Sequence, residues 1–247
     1  HIHAEPSRYR SDCEAALELA RQAQLQGVRR FVFVSSTKAM ADPGSIKRDE
    51  SWIDWPADSY GYWKRTAEQR LLDEIAVPHL AIVRPCLIYG VGVKGNLRKM
   101  IKAVHRGYFP PLPETGGERS MVDVSDVARA LLFTAAHNDA NRNPLIVTDG
   151  HAYTAYGIYC DIRKVLGLSP VPPFTVPLPV LKVSGLVGDL VRNVWSGCPI
   201  SSAVIDRLTG AAAFSSERLC NLGWRAAKNF HDELPAIVKA CLEDRGS

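Results

Sequence analysis

The chain lacks a C-x-x-C pair, a histidine pair at zinc-ligand spacing, a run of like charge and an uninterrupted apolar stretch. Each absence removes a class of function. The six cysteines are scattered at 13, 86, 160, 198, 220 and 241. They offer neither zinc-ligand spacing nor a disulfide framework, so no metal site is expected, and free thiols in a reducing cytoplasm are. Charged residues make up 23 % of the chain and the net charge is +4. No basic stripe is interleaved with aromatic residues, which argues against nucleic-acid binding. The most apolar segment, Val171 to Val191, contains four prolines together with Lys182 and Asp189. That is a poor bilayer span. It reads instead as a Pro-rich connection into an amphipathic helix that packs on the core or on a partner.

What remains is an ordinary globular balance. There are 247 residues, 46 % of them apolar, enough for one large α/β domain or one domain with an appended lobe. Ser11 to Gln26 carries a helical apolar face and Gly27 stops it. Arg30 to Ser36 is a continuous apolar run ending in hydroxyls, as a buried parallel strand requires. Residues 39–56 are polar and read as a loop over a site. Ser59 to Ile75 is helical, and His79 to Arg84 is a second buried strand ended by Pro85. Leu97 to His105 is helical and 106–118 is loop. Met121 to Val124 is a short strand, after which Ser125 caps a helix through Ala136. Pro144 to Thr148 is a strand and Thr154 to Leu166 a helix. The rest is mostly helical, with a last amphipathic helix from Phe230 to about Leu242. Strands alternating with helices predict an α/β fold with a doubly wound parallel sheet.

The segment Tyr60-Gly61-Tyr62-Trp63-Lys64 carries the chemistry. A tyrosine and a lysine four apart share one helix face. The strand end Ser35-Ser36-Thr37 can meet them at the carboxyl edge of a parallel sheet. A phenol of pKa about 10 is a weak base at neutral pH. A neighbouring ammonium stabilises the phenolate, which allows proton exchange with an alcohol or a ketone. Thr37 can hold the same oxygen. Proton transfer is half of an alcohol–ketone redox reaction. No side chain accepts hydride, so a nicotinamide cofactor is implied.

These motifs resemble an extended short-chain dehydrogenase/reductase of the NAD-dependent epimerase/dehydratase group. Within it, the chain is most similar to bacterial nucleotide-sugar 4-epimerases and 4-ketoreductases of surface-polysaccharide pathways. The resemblance rests on Val28 to Thr37, Tyr60 to Lys64 with Ala67-Glu68-Gln69, Arg84 to Asn96, Glu118 to Asp126 and Leu222-Gly223-Trp224. It implies a Rossmann-like sheet over 1–85 and 119–150, N-terminally incomplete. A smaller, mostly helical substrate lobe would cover 86–118 and 151–247. It implies catalytic roles for Thr37, Tyr60 and Lys64. It implies NAD binding, with NADP left open, by Ser35, Ser36, Tyr60, Lys64, Pro85, Cys86 and Leu87. The sugar nucleotide would be held by Thr37, Asn96 and Arg119. The Arg119 guanidinium suits phosphate oxygens, and Asn96 can also cap the helix that follows it. A homodimer through the helices 11–26 and 59–75 is the family expectation.

The chain departs from the family in several places. The first strand and glycine-rich turn, normally about the first 70 residues, would lie before His1, so the chain looks like the later three-quarters of an enzyme. Gly90-Val-Gly-Val-Lys-Gly95 matches G-x-G-x-x-G, but Arg84-Pro85 interrupts its approach. No acidic residue ends a second strand about 20 residues on, so it is not the dinucleotide turn. Asp12 stands where an Asn is usual, placing a negative charge on Lys64. Trp63 replaces a small residue and must find room under the cofactor or against the second lobe. Two other readings stay open beside the nucleotide-sugar one. One is an oxidoreductase of a steroid- or flavonoid-type alcohol, against which Arg119 and Asn96 argue. The other is a non-catalytic remnant that binds a nucleotide sugar or a partner.

Overall fold

A computed structural model describes residues 6–192, 202, 205–206 and 210–243. The chain forms two compact units. The first comprises residues 1–90, 120–151 and 213–230, and the second 91–119, 152–212 and 231–247.

The first unit holds α1 (Pro6–Leu25), β1 (Arg30–Val34), α2 (Ser59–Glu74), β2 (His79–Pro85), β3 (Leu87–Tyr89), α4 (Val124–Ala136), β5 (Pro144–Val147) and α7 (Glu217–Asn221). β4 (Glu118–Asp123) runs into it from the second unit. The second unit contains α3 (Asn96–His105), β6 (Ala152–Thr154), α5 (Ala155–Val165), α6 (Leu178–Arg192) and all of α8 (Phe230–Glu243) but its first residue.

β1, β2 and β5 lie side by side and parallel, with Phe31 opposite Leu80, Phe33 opposite Ile82 and Val83 opposite Leu145. β3 pairs parallel with β4, Leu87 facing Met121. Every residue of β2 is buried, as expected of a central strand covered on both faces. Its alternate side chains divide between two cores. Leu80 and Ile82 join Leu17, Ala20, Phe33, Ala67 and Leu71 under α1 and α2. Val83 joins Val122, Val127, Ala130, Leu145 and Leu219 under α4 and α7. Helices on both faces of a parallel sheet make the Rossmann-like, doubly wound arrangement.

Pro85 ends β2 as its last residue, inside the ladder and opposite Val147. A proline has no N–H to give, yet none is needed here. Ser35 N–H bonds Val83 O and Cys86 N–H bonds Val147 O. Pro85 therefore alternates onto the β1 side, beyond Val34 where β1 stops. Two expected caps differ. Asp123, not Ser125, caps α4 by accepting the Ser125 N–H. Gly95, not Asn96, precedes α3, and Asn96 is its first helical residue. β3 and β6 were not foreseen. Each has three residues, too few to show a period.

In the second unit α3 packs on α5 through its apolar face, with Met100, Ile101 and Val104 buried. Phe109 lies 5.5 Å from Tyr159, Val176 N–H bonds Pro111 O, and His231 Nδ1 stands 3.0 Å from Asp161. Among the described residues, the stretch expected to be helical up to Phe230 is so over α6, at 202 and 205–206, and over the short α7; much of 193–209 lies outside the described residues. No helix of the described residues is long and apolar enough to cross a membrane.

Candidate active site

α2 starts where it does because Asp58 accepts the Gly61 N–H at 2.9 Å, satisfying one of the helix's free donors. Residues 37–39 form a single 3₁₀ turn after β1, opened by the Ser36 hydroxyl accepting the Lys38 N–H at 3.1 Å. These two starts press together. A Cβ on Gly61 would collide with the Lys38 carbonyl oxygen and lie 2.8 Å from Pro56 Cβ. Glycine at 61 therefore sets how closely Tyr60 approaches the strand end.

The result brings five of the expected residues to the carboxyl end of β1. Lys64 Nζ donates to Val34 O at 2.9 Å and lies 4.9 Å from the Phe33 ring centroid. The Ser36 side chain lies close enough to the Tyr60 phenol to hold its pKa down, and the Tyr60 ring meets Tyr9 edge-on at 5.4 Å. Thr37 is buried at the head of the 3₁₀ turn. Ser35 is 4 % exposed, and its Oγ finds no hydrogen-bond partner among the described residues. A buried hydroxyl left alone at a strand end marks a place for an outside group.

Pro85 and Cys86 are buried at the same end of the neighbouring strand, whereas Leu87 is exposed. Burial, reinforced by Asp149, pushes the Cys86 thiol well up, so it is an inert neighbour rather than a nucleophile. Asn96 and Arg119 belong to the second unit. Asn96 is exposed. Arg119 donates to Gly210 O at 3.0 Å, and burial lowers its pKa.

The electrostatics correct one expectation. Burial dominates at Tyr60 and raises the phenol above its ordinary value; the Ser36 hydrogen bond opposes this, and Tyr9, Asp58 and Asp12 add to it. Lys64 is lowered by burial, while Asp12 and then Glu68 hold it up. The ammonium is thus supported mainly by Asp12, and the phenol is not made acidic by it. Asp12 and Lys64 line one small cavity of about 100 Å³ with Tyr9, Cys13, Tyr60 and Trp63. It is too small for a sugar nucleotide. Trp63 is partly buried. It packs on the core beneath α1 and α2, with the Arg10 guanidinium 6.0 Å from its ring centroid.

Tyr9, Glu68 and Arg84 were missed as supporting residues. Tyr9 stands three residues before Asp12 and one turn before Cys13, so its helical spacing could have revealed it. Glu68 stands one turn beyond Lys64 and binds Arg84 of β2 through two contacts, 2.8 and 2.6 Å long.

Residues 3–148 match the model of the NAD dependent epimerase/dehydratase family. The chain is 28 % identical over 237 residues to UDP-glucose 4-epimerase of Vibrio cholerae, covering 92 % of this chain and 67 % of that protein. It is 20 % identical over 205 residues to N-acetyl-alpha-D-glucosaminyl-diphospho-ditrans,octacis-undecaprenol 4-epimerase of Escherichia coli O157:H7, covering 81 % of this chain and 61 % of that one. Its fold superposes on the UDP-glucose 4-epimerase of Thermotoga maritima, solved with UDP-glucose, with a TM-score of 0.73 at 18 % identity. That match covers 97 % of this chain and 72 % of the other.

Proposed function

The chain belongs to the NAD dependent epimerase/dehydratase family, and we propose that it acts at carbon 4 of a UDP-linked hexose or N-acetylhexosamine, as a 4-epimerase or a 4-ketoreductase. The observation that carries this reading is the meeting of phenol, amine and hydroxyls at one strand end: Tyr60 beside Ser36, and Lys64 hydrogen-bonded to the Val34 carbonyl. The relatives named above act on sugars at the same carbon, two of them on UDP-glucose by name.

NAD, when bound, supplies the hydride acceptor that no side chain provides. The residues fit it: the unpaired Ser35 Oγ can bond a cofactor hydroxyl, and Lys64 keeps donors to spare after its single bond to Val34 O. Pro85 at the end of β2, and Cys86 and Leu87 just after it, are the remaining candidates for cofactor contact. Tyr60 as the phenol hands its proton to a ketone oxygen at carbon 4 or, in the opposite direction, as the phenolate receives the hydroxyl proton. Ser36 holds the phenol in place and Thr37 holds the substrate oxygen. Arg119 and Asn96 grip the diphosphate. A homodimer through α1 and α2 and a cytoplasmic setting belong to the same proposal.

The test is incubation with NAD and a panel of UDP-sugars, followed by proton NMR for inversion or reduction at carbon 4. Tyr60→Phe should cost about 10²–10⁴-fold in rate without changing the unfolding midpoint. Oxidation of an uncharged alcohol with no turnover of any UDP-sugar would defeat the reading.

A further inference from the structure

α6 takes no part in the chemistry above, and its packing is inverted. Leu181, Gly185 and Gly188 face inward. Gly185 sits so close to its neighbours that a Cβ there would lie 2.9 Å from Ser202 Cα. Val180, Val183, Leu186 and Val187 share the opposite face at helical spacing and are 55, 59, 60 and 53 % exposed. A helix stabilised only by its own core would turn these aliphatic side chains inward. Val171 and Phe174, just ahead of it in sequence, are exposed as well, at 65 and 64 %. An apolar surface of this kind marks an interaction site.

Charge selects the occupant. The second unit holds 13 of the 30 Lys and Arg residues and 9 of the 26 Asp and Glu, so the chain's entire +4 resides there and the first unit is neutral. A second copy docked on this face would bring like charge to like. A nucleic acid would find aliphatic side chains where stacking rings are needed. An anionic lipid surface satisfies both the apolar face and the positive unit. We propose that α6 lies in the plane of an anionic phospholipid membrane, with Val180, Val183, Leu186 and Val187 entering the acyl boundary. Lys182, at the flank of that face, reaches lipid phosphates with its stem along the apolar surface. The helix lies on the membrane and does not span it, and the inference holds whichever sugar the site takes.

Cosedimentation of the full chain tests this, using vesicles of phosphatidylglycerol and phosphatidylcholine in equal parts against vesicles of phosphatidylcholine alone. Binding to the anionic vesicles should exceed binding to the neutral ones by about tenfold and weaken with added salt. The double change Leu186→Asp and Val187→Asp should lower it by about tenfold or more, with the circular dichroism spectrum intact. If that pair disturbs folding, Val183→Ser should still reduce binding measurably. Failure to bind either vesicle, or equal binding to both, overturns the proposal. So does a dimer in light scattering that the double variant splits in the absence of lipid binding, which would assign the face to a second copy.

Discussion

Arg84 and Glu68 form a two-point ion pair in which the side chains are only 1 and 2 % exposed. The pair fixes α2, one turn after Lys64, to the last residues of β2. Arg65 adds a weaker contact to the same carboxylate at 3.7 Å. A buried pair of this kind contributes little net stability over apolar residues of similar size, but it tolerates the loss of neither partner. Its consequence is geometric: the helix that carries Tyr60 and Lys64 cannot slide along the strand.

Glu68→Ala should therefore cost about 3–5 kcal/mol, because it leaves the Arg84 guanidinium buried without its carboxylate. The double change Glu68→Met with Arg84→Met should recover most of that loss. Urea unfolding of the three proteins checks both statements. A single variant as stable as the parent would show that the pair does not anchor the helix.

Gly61→Ala should destabilise the protein by about 1–3 kcal/mol and depress turnover more than it depresses folding. The added methyl meets the Lys38 backbone carbonyl, which cannot rotate away as a side chain would. Relief must come from separating α2 from the 37–39 turn, and that moves Tyr60 off Ser36. Denaturation midpoints set beside rates at saturating substrate distinguish the two effects.

Asp12→Asn should lower the pKa of the Lys64 amine further. Asp12 is the leading group opposing its depression by burial, and the amide carries no charge. The amine then loses its proton at lower pH, so the alkaline limb of the rate profile should move to lower pH. Nitrogen NMR of the lysine ammonium groups follows the same titration directly. An unmoved Lys64 would remove Asp12 from its environment.

Glu50 carries a pH dependence of opposite origin. Its side chain is 2 % exposed. One oxygen accepts the Ile146 N–H at 2.8 Å, closing the open edge of β5. Burial is the largest influence and raises its pKa above 4.5, although the Ile146 hydrogen bond and, more weakly, Arg218 pull it down. With the folded value raised, its stabilising contribution is complete below pH 4.5 and disappears as pH rises through the folded pKa. Glu50→Gln keeps the acceptor and removes the charge. It should raise the melting temperature at pH 7 and flatten the stability profile just above pH 4.5. A lower melting temperature would mean that the charged carboxylate's bond to Ile146 and its contact with Arg218, 3.8 Å away, together outweigh desolvation.

Much of this was readable before any coordinates. The run Arg30 to Ser36 and the pattern of Ser59 to Ile75 identified β1 and α2, because a covered strand and a half-covered helix leave different periods. The strand-end hydroxyls and the Tyr60–Lys64 spacing then fall together by chain geometry alone. The supporting contacts were not readable. Glu68 and Arg84 are 16 residues apart, and nothing in the sequence says that these two charges leave water together. The caps at Asp123 and Gly95 were misread because Ser125 and Asn96 are equally good candidates by residue type; the backbone dihedrals chose between them.

Sequence alone determined the main alternation of strands and helices and the residues gathered at the end of β1, since both follow from local periodicity and from the rule that parallel strands direct their carboxyl ends to one edge. Only the tertiary structure decided the charge state of that site. Burial is a property of packing, and it raised the phenol and lowered the amine where spacing alone had suggested an acidic tyrosine. Packing likewise decided which side of α6 meets the protein, turning its glycines inward where composition would have placed its valines.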